Sequence, residues 1–426
     1  MDLSIIIPCY NSEKYLKNCL NSFCNQIKKY NKIEVIIVDD ASVDETSKIL
    51  KIYNKKFKFI KVFKNKQNLG VSLSRNLAIK KSKGKYILFL DSDDEIINHS
   101  IINLLNFNKK INKDVVVLRN TNIGKKKIID KNQIFELKKN SKSLIDNIEN
   151  FNSFRSTCWN FLVKRDFIIK NKIFFKNIKI FEDQFFVSKI LSEARTFTIF
   201  KKPVYNRRLH EPQSLSKIVG FTTALSCLKV IIELAKVINK YKKNSKNKIN
   251  FLISRVKFVE NLFLENLIIC KRNQLKYLVN LFYLNLIYLK NLKKNDNKIL
   301  KLFFINKKLT VKKIEERKKN KIKIFKKSLQ QKKSFLIFCA WYYSEIILRI
   351  CLNEKIKVDF IIDNNIFYKS KKLNNKKIIL PHQAKKLLNR NYGILICNKN
   401  KKYRKQIINQ LVNLGFKPKD LIKVEI

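Results

Sequence analysis

Two aspartates lie directly after a predicted strand, where their carboxylates could bind a cation. Asp91 and Asp93 follow the apolar run Tyr86–Leu90, and one residue separates them. Helix capping does not account for this pair, and at the end of a strand both side chains are within reach of one ion and its ligand. Mg and Mn are hard cations that take carboxylate and phosphate oxygens. The pair therefore predicts a site for Mg or Mn.

Such a site needs a sheet that brings several strand ends together. Over residues 1–95, short apolar runs alternate with amphipathic segments: Ser4–Pro8, Glu13–Ile27, Ile33–Val38, Glu45–Tyr53, Phe59–Phe63, Ser72–Lys80 and Tyr86–Leu90. Alternating strands and helices are typical of a parallel α/β sheet. Polar residues follow three of the strands, at 8–11, 39–42 and 91–94, and parallel strands place such ends at one ligand-binding edge. Asp44 is predicted to cap the helix that follows it.

The remainder of the chain predicts further domains, as a length of 426 residues suggests. Residues 1–215 are predicted to form the first domain. Residues 216–333 are predicted to be a helical region, with apolar residues at helical spacing in Phe251–Ile269 and Leu275–Leu292, followed by a solvated charged linker over Val311–Lys333. Strand and helix patterns return over residues 334–426, which predicts a second, small α/β domain.

Composition excludes some classes of protein. The chain has 92 Lys and Arg against 33 Asp and Glu, a net charge of +59. The lysines are spread along the chain rather than gathered in a stripe, so no nucleic-acid partner is predicted. Nine scattered cysteines without a CxxC pair argue against structural zinc and a disulfide framework. No signal peptide is visible, and the longest uncharged apolar stretch, Tyr277–Leu289, is too short for a membrane span. A cytoplasmic location is expected.

Four motifs in order carry a resemblance to a known family. They are Ser4-Ile-Ile-Ile-Pro-Cys-Tyr-Asn11, Val38-Asp-Asp-Ala-Ser42, Asn68-Leu-Gly70 with Arg75-Asn76, and Asp91-Ser-Asp-Asp94. Together with Trp159-Asn160, Glu182-Asp183 and Arg208-Leu-His210, this pattern resembles the family 2 glycosyltransferases of the GT-A fold over residues 1 to about 215. The resemblance implies a Rossmann-like domain that binds a nucleoside-diphosphate sugar, with UDP as the expected nucleotide.

The resemblance also assigns roles to individual residues. It implies a nucleotide-binding set consisting of Pro8, Tyr10, Asn11, Asp39, Asp40, Arg75, Asp91 and Ser92. Within that set Asp39 and Arg75 would contact the base, and Asp91 would face the ribose. Asp93 would hold the metal on the diphosphate, and His210 would complete the metal site. The alternative for His210 is an ordinary histidine of a surface loop.

Glu182-Asp183 resembles the acidic pair of the family, in which Asp183 would be the catalytic base. An alcohol that attacks an anomeric carbon must lose its proton, and a carboxylate within hydrogen-bond reach can take it. A single base on the face opposite the leaving group implies inversion. The alternative is that the pair starts the helix Gln184–Leu191, where acids favour the helix dipole, and both roles can coexist. Two roles are open for Trp159: its ring could stack on an acceptor sugar or pack in the core.

The last domain resembles a Rossmann-like domain that has lost its glycine-rich turn. Cys339, Trp341 and Ser344 stand where backbone would approach a phosphate. Asp363 keeps the position of a ribose-binding acid, which is weak evidence by itself. A degenerate domain used for packing or assembly is therefore predicted.

The combined prediction is an inverting, metal-dependent glycosyltransferase that uses a glycan or lipid-linked acceptor in surface polysaccharide or glycoconjugate synthesis. One alternative is an inactive scaffold of the same fold on a membrane surface, and another is a different metal-dependent nucleotide enzyme. Peripheral contact with an anionic membrane is a further hypothesis, because apolar residues of Leu275–Leu292 adjoin Lys290, Lys293 and Lys294. Its alternative is a helical core with a solvated edge.

Overall fold

The computed structural model describes most of the chain in two compact units. Described are residues 1–109, 112–122, 156–208, 218–241, 245–289, 307–329, 332–339, 342–365, 371–388, 391–398 and 400–424, together with residues 145, 292 and 368. One unit, here called the N-terminal unit, contains Met1–Leu209 and Glu233–Phe258. The other, the C-terminal unit, contains His210–Ile232 and Val259–Ile426.

The N-terminal unit begins with a regular alternation of strands and helices. Its first elements are β1 (Leu3–Cys9), α1 (Glu13–Ile27), β2 (Ile33–Asp39), α2 (Thr46–Lys56), β3 (Ile60–Lys64), α3 (Val71–Lys81) and β4 (Tyr86–Phe89). The later ones are β5 (Glu95–Ile96), α4 (Ser100–Lys109), β6 (Val115–Asn122), β7 (Phe161–Lys164), α5 (Arg165–Lys170), α6 (Glu182–Glu193) and β8 (Phe197–Arg207). The predicted bounds of the first seven elements agree with these within three residues.

The eight strands form one mixed sheet in the order β3-β2-β1-β4-β7-β6-β8-β5. Strands β3, β2, β1 and β4 are parallel neighbours, and β7 then runs antiparallel to β4. Strands β1, β2 and β4 are buried on both faces, whereas the edge strand β3 is partly exposed. The α/β fold class is thereby confirmed, and the ends of β2, β1 and β4 lie side by side at one edge of the sheet.

The C-terminal unit contains a second, smaller sheet. Two helices, α7 (Phe221–Ile238) and α8 (Lys246–Leu267), have residues in both units. The elements that follow are α9 (Arg272–Leu284), α10 (Leu286–Leu289), α11 (Lys307–Ser328), β9 (Ser334–Phe338), α12 (Tyr342–Asn353), β10 (Val358–Ile362), β11 (Lys372–Leu373), β12 (Lys376–Ile379), α13 (Pro381–Ala384), β13 (Tyr392–Ile396), α14 (Lys401–Asn413) and β14 (Leu421–Lys423). The strand order β11-β12-β10-β9-β13-β14 is parallel except for the short hairpin of β11 and β12.

The charged run Val311–Lys333 differs from its prediction. It belongs largely to helix α11, whose Thr310, Val311, Ile314 and Phe325 are buried. The prediction of a solvated linker there is wrong, because four apolar or uncharged positions at helical spacing suffice to dock a helix that is otherwise rich in lysine. Across the part of the chain that is described, no helix is long and apolar enough to cross a membrane.

Candidate functional site

The edge formed by β1, β2 and β4 is built from tightly hydrogen-bonded turns. Asn11 and Ala41 have φ angles of 47° and 60°, which turn the chain sharply after β1 and β2. The Asn11 amide N–H donates to Ser42 Oγ (3.0 Å), and the Asn11 side-chain oxygen accepts from the Val43 N–H (3.0 Å). The hydroxyls of Ser12 and Ser92 lie 2.8 Å apart. The three strand ends are therefore joined in one framework, as the sequence predicts.

Asp39 and Asp40 turn their carboxylates into this framework. Asp39 accepts from the Ser42 N–H (3.0 Å) and the Ser47 hydroxyl (2.6 Å). Asp40 accepts from three donors, Asn65 Nδ2 (2.6 Å) and the N–H groups of Leu69 (2.9 Å) and Gly70 (2.7 Å). Both residues are buried. Asp40 therefore fixes the loop that leads into α3.

Three carboxylates converge on the guanidinium of Arg75, which projects from α3. Its Nη2 lies 2.8 Å from Asp91 Oδ1, and its Nη1 lies 2.7 Å from Glu182 Oε1 and 3.2 Å from Asp183 Oδ1. The Arg75 side chain is only 4% exposed and lies over the ring of Phe175. We call Arg75, Asp91, Glu182 and Asp183 the acidic cluster. It joins the predicted ribose-binding aspartate to the predicted base.

The start of α6 sets the position of the acidic pair. Phe181, the residue before the helix, has φ 65°, a left-handed conformation that side chains rarely adopt. Asp183 lies in the first turn of α6, where the helix dipole favours a negative charge. Its Oδ2 also accepts from the Cys158 N–H at 3.2 Å. Glu182 and Asp183 thus begin helix α6 and also belong to the acidic cluster, and the role of Asp183 as a base stays a prediction.

Burial raises the proton affinity of the acidic pair. Burial and then the adjacent Asp183 carboxylate raise the pKa of Glu182 to about 7, although Arg75 opposes this. Burial also raises the pKa of Asp183, against the effects of Arg75 and the Cys158 N–H. One guanidinium therefore does not fully compensate three carboxylates in a poorly hydrated place.

Asp94 and Arg208 anchor the loop that carries Asp91 and Asp93. The buried Asp94 accepts from the Tyr205 hydroxyl (2.6 Å) and from the Arg208 N–H (2.5 Å), and the Arg208 side chain donates to the Asp93 carbonyl (2.9 Å). Tyr205 also accepts from the Asp91 N–H (3.2 Å). Burial, followed by repulsion from Asp93 and Asp91, raises the pKa of Asp94 well above its usual range.

Trp159 belongs to the core beneath this loop. Its ring stacks on Tyr205 with centroids 4.4 Å apart and an interplanar angle of 12°, and 4% of the residue is exposed. Of the two interpretations of Trp159, the structure favours core packing. Tyr205 itself has no motif in the sequence that would have pointed to it.

The residues around Asp93 suit a divalent cation. Asp93 is exposed, and among the described residues no cation forms an ion pair with its carboxylate. Asp91 offers a second, partly exposed carboxylate nearby. No group of three or more His, Cys, Asp and Glu side chains is placed to hold a metal in the described part of the chain, and His210 lies outside it. One or two carboxylates completed by substrate phosphates are a usual Mg²⁺ site, so this donor set fits such an ion.

The other predicted nucleotide contacts surround the same edge. Pro8 lies in β1 beside Val38, Tyr10 is 49% exposed, and Ser92 is partly exposed. Asp44, the predicted cap, accepts from the Thr46 N–H (3.0 Å) in the first turn of α2 and from the Glu13 N–H (3.1 Å). Sequence reasoning missed the Cys158 N–H, since a backbone donor leaves no mark on the sequence.

Comparisons with known proteins agree with this geometry. The model of Glycosyl transferase family 2 matches residues 4–171. The minor teichoic acid biosynthesis protein GgaB of Bacillus subtilis is 32% identical over 222 residues, which are 50% of this chain and 23% of that protein. The poly(ribitol-phosphate) beta-N-acetylglucosaminyltransferase TarP of Staphylococcus aureus is 34% identical over 200 residues, 46% of this chain and 59% of that protein.

The chain thus covers less than two thirds of either relative. Among solved structures, that of S. aureus TarS superposes with a TM-score of 0.51 at 22% identity, over 66% of this chain and 49% of that chain. This likeness concerns the fold, and it confirms the GT-A architecture.

Proposed function

We propose that this chain, whose residues 4–171 match the model of Glycosyl transferase family 2, transfers a sugar from a nucleoside-diphosphate sugar to an acceptor hydroxyl with inversion. The observation that carries the proposal is the acidic cluster, which holds Asp183 at the strand edge where the donor would bind. UDP is the proposed nucleotide. The relatives act in teichoic acid synthesis and on poly(ribitol phosphate), so the proposed acceptor is a surface glycan or a lipid-linked glycan.

Donor binding would use the open side of the strand edge. The exposed ring of Tyr10 and the hydroxyl of Ser92 are available for the nucleotide, and Asp91 keeps one carboxylate oxygen clear of Arg75. Contacts of Asp39, Asp40 and Arg75 with the nucleotide stay predictions, since each side chain is buried and bonded to protein groups. The proposed catalytic domain is residues 1–215.

Asp93, with His210 as a predicted second ligand, would hold Mg or Mn. When bound, such an ion stabilises negative charge on a leaving diphosphate. The contribution of the chain itself is to keep Asp93 exposed and oriented, which the Arg208 side chain does by holding the Asp93 carbonyl.

Asp183 would take the proton of the acceptor hydroxyl. The acceptor oxygen forms its bond to the anomeric carbon while the bond from that carbon to the diphosphate breaks, and the nucleoside diphosphate leaves. With one base opposite the leaving group and no covalent intermediate, the configuration at the anomeric carbon inverts.

A donor screen tests the proposal. Purified protein with Mn²⁺ or Mg²⁺ is mixed with UDP-sugars and GDP-sugars and a glycan acceptor, and nucleotide release is followed. Asp183→Asn serves as the inactive control, and Asp166→Asn, whose side chain is 83% exposed, as the neutral one. An NMR coupling constant of the product gives the anomeric configuration. Retention, or equal release by parent and Asp183→Asn, would contradict the proposal.

Peripheral contact with an anionic membrane stays a prediction. In the described part of α9 and α10, Leu284 and Ile287 are 80% and 71% exposed, whereas Leu275, Leu278, Val279 and Phe282 are buried. Lys290, Lys293 and Lys294 lie outside the described residues. An amphipathic surface of this kind binds anionic lipid through its apolar side chains and nearby lysines. Flotation with anionic vesicles at low and high salt tests it, and absence of binding at both would leave the helical-core interpretation.

A further inference from the structure

The acidic cluster has more negative than positive charge. Glu182 and Asp183 share Nη1 of Arg75, and these two carboxylates with one guanidinium have a net charge of −1 when all three groups are ionised. The side chains are 13% exposed in Glu182, 17% in Asp183 and 32% in Asp91. Like charges that share a poorly hydrated site do not all ionise at neutral pH, and one of them keeps a proton. Glu182, as the least exposed carboxylate, loses most hydration when it ionises.

The hydrogen bonds favour the same distribution. Asp183 accepts from Arg75 Nη1 through one oxygen and from the Cys158 N–H through the other, so its ionised form is bonded at both oxygens. Glu182 accepts from Arg75 through Oε1 alone among the described contacts. Burial and the Asp183 charge raise the pKa of Glu182 to about 7, which agrees with a proton on this residue at pH values below about 7.

Arg75 has little capacity left for a nucleotide base. Its two terminal nitrogens are bonded to carboxylates of the cluster, and the side chain is 4% exposed. Its Nε is buried without a hydrogen-bond partner among the described residues. Arg75 thereby joins Asp91, in the loop after β4, to the start of α6.

We propose that Arg75 is a positioning residue that holds Asp183 ionised and oriented as the base while its neighbour Glu182 remains protonated. This inference rests on the proposed transferase function. In the transfer step, the proton of the acceptor hydroxyl goes to Asp183, the acceptor oxygen bonds to the anomeric carbon, and the nucleoside diphosphate departs. Glu182 keeps its proton throughout, which limits the negative charge that Arg75 has to compensate.

The test is the pH dependence of kcat at saturating donor for the parent, Arg75→Gln and Arg75→Lys. Without the guanidinium, ionised Asp183 loses its positive partner. We expect Arg75→Gln to lower kcat at least about a hundredfold and to move the acidic limb of the profile up by about one pH unit or more. Arg75→Lys should recover part of kcat and part of the shift. The Kd for UDP, measured by calorimetry, should change less than about threefold. This is well below the tenfold change expected if Arg75 contacted the nucleotide.

A contact between Arg75 and the nucleotide base would give the opposite pattern. In that case UDP binding would weaken about tenfold or more while the acidic limb stayed in place, and the proposal would be overturned. A parent that releases no nucleotide from any donor would refute the transferase function, and this inference with it. If the parent is active and the acidic limb of its kcat–pH profile coincides with that of Arg75→Gln, this inference alone would be refuted.

Glu182→Gln is the second variant, and it keeps Arg75 and the shape of the cluster. A glutamine resembles a protonated glutamate, so the acidic limb of kcat should stay within about half a pH unit of the parent. A downward move of one unit or more would show that the shared proton resides on Asp183, which would contradict the proposal even if Arg75→Gln failed to fold.

Discussion

Replacing Asp40 with asparagine distinguishes a structural from a nucleotide-binding role. The Asp40 carboxylate accepts three hydrogen bonds and is 3% exposed. An asparagine at this position keeps only one acceptor oxygen. In one orientation of its amide the Gly70 N–H faces the NH₂ group, and in the other orientation the Leu69 N–H and the Asn65 side-chain NH₂ face it. Losing a hydrogen bond to a charged group costs about 1.5–3 kcal/mol, and a buried unpaired N–H adds to that. We expect Asp40→Asn to lower the free energy of unfolding by about 2–4 kcal/mol.

Urea unfolding followed by tryptophan fluorescence measures this effect in the N-terminal unit. The chain has two tryptophans, so a Trp341→Phe background leaves the buried Trp159 as the probe. Asp166→Asn in the same background is the control, with an expected change within about 0.5 kcal/mol because its side chain is 83% exposed. If Asp40→Asn unfolds at the same urea concentration as this control while UDP binding falls about tenfold, Asp40 contacts the nucleotide and the structural argument is wrong.

Four further predictions concern the site and the second sheet. Asp93→Ala should abolish sugar transfer with Mn²⁺ or Mg²⁺ and leave thermal unfolding unchanged, so near-normal transfer would remove the metal assignment. Asp183→Asn should lower kcat roughly a hundredfold or more with UDP binding little changed, and a parallel loss of UDP affinity would place Asp183 in the nucleotide site. In the folded protein the pKa of Glu182 is about 7, above the ordinary value of 4.5, so the parent should lose up to about 3 kcal/mol of stability relative to Glu182→Gln as pH rises from 4.5 through 7. Urea unfolding of both proteins at pH 5 and pH 8 checks this. The same difference in free energy of unfolding between the two proteins at both pH values would contradict it. Finally, the full chain should show no micromolar binding of NAD or S-adenosylmethionine by calorimetry, because Cys339 keeps a side chain at a turn with φ 90°, where glycine would let a pyrophosphate approach the backbone.

Local patterns predict local elements well in this chain. The helix Glu13–Ile27 has the bounds that its apolar spacing indicates. The sequence does not predict the hairpin of β11 and β12 or the strand β14, because each strand has four residues or fewer, which is too short to show a periodic pattern.

The residues named for the glycine-free turn after β9 lie in different places. Ser344 lies within α12 and is buried, and Asp363 accepts from the Asn365 N–H. Trp341 lies outside the described residues.

Motifs predict which residues meet at the site but not what each of them contacts. Pro8, Asn11, Asp39 and Asp91 come together because parallel strands align their carboxyl ends, a rule that needs only the order of the elements. The partner of Arg75 depends on where α6 begins relative to α3, more than a hundred residues later in the chain. The distance in space between Arg75 and the start of α6 is set by packing of the whole N-terminal unit, and no spacing in the sequence predicts it.

Polar contacts connect the predicted nucleotide-binding edge to the proposed base, Asp183, through one helix, α3. Asp40 bonds the N–H of Gly70 at the start of α3, and Arg75 lies just over one turn further along that helix. Arg75 in turn holds Asp183, so the position of this proposed base depends on the Asp40 carboxylate at the end of β2. Asp40 and Arg75 are both buried, and their hydrogen bonds to the Gly70 N–H and to Asp183 would be costly to leave unmade. Because α3 is one continuous helix from Val71 to Lys81, the position of its start sets where Arg75 projects. Asp40 therefore fixes the start of α3 and, through that helix, the place from which Arg75 projects, whether or not Asp40 touches the nucleotide.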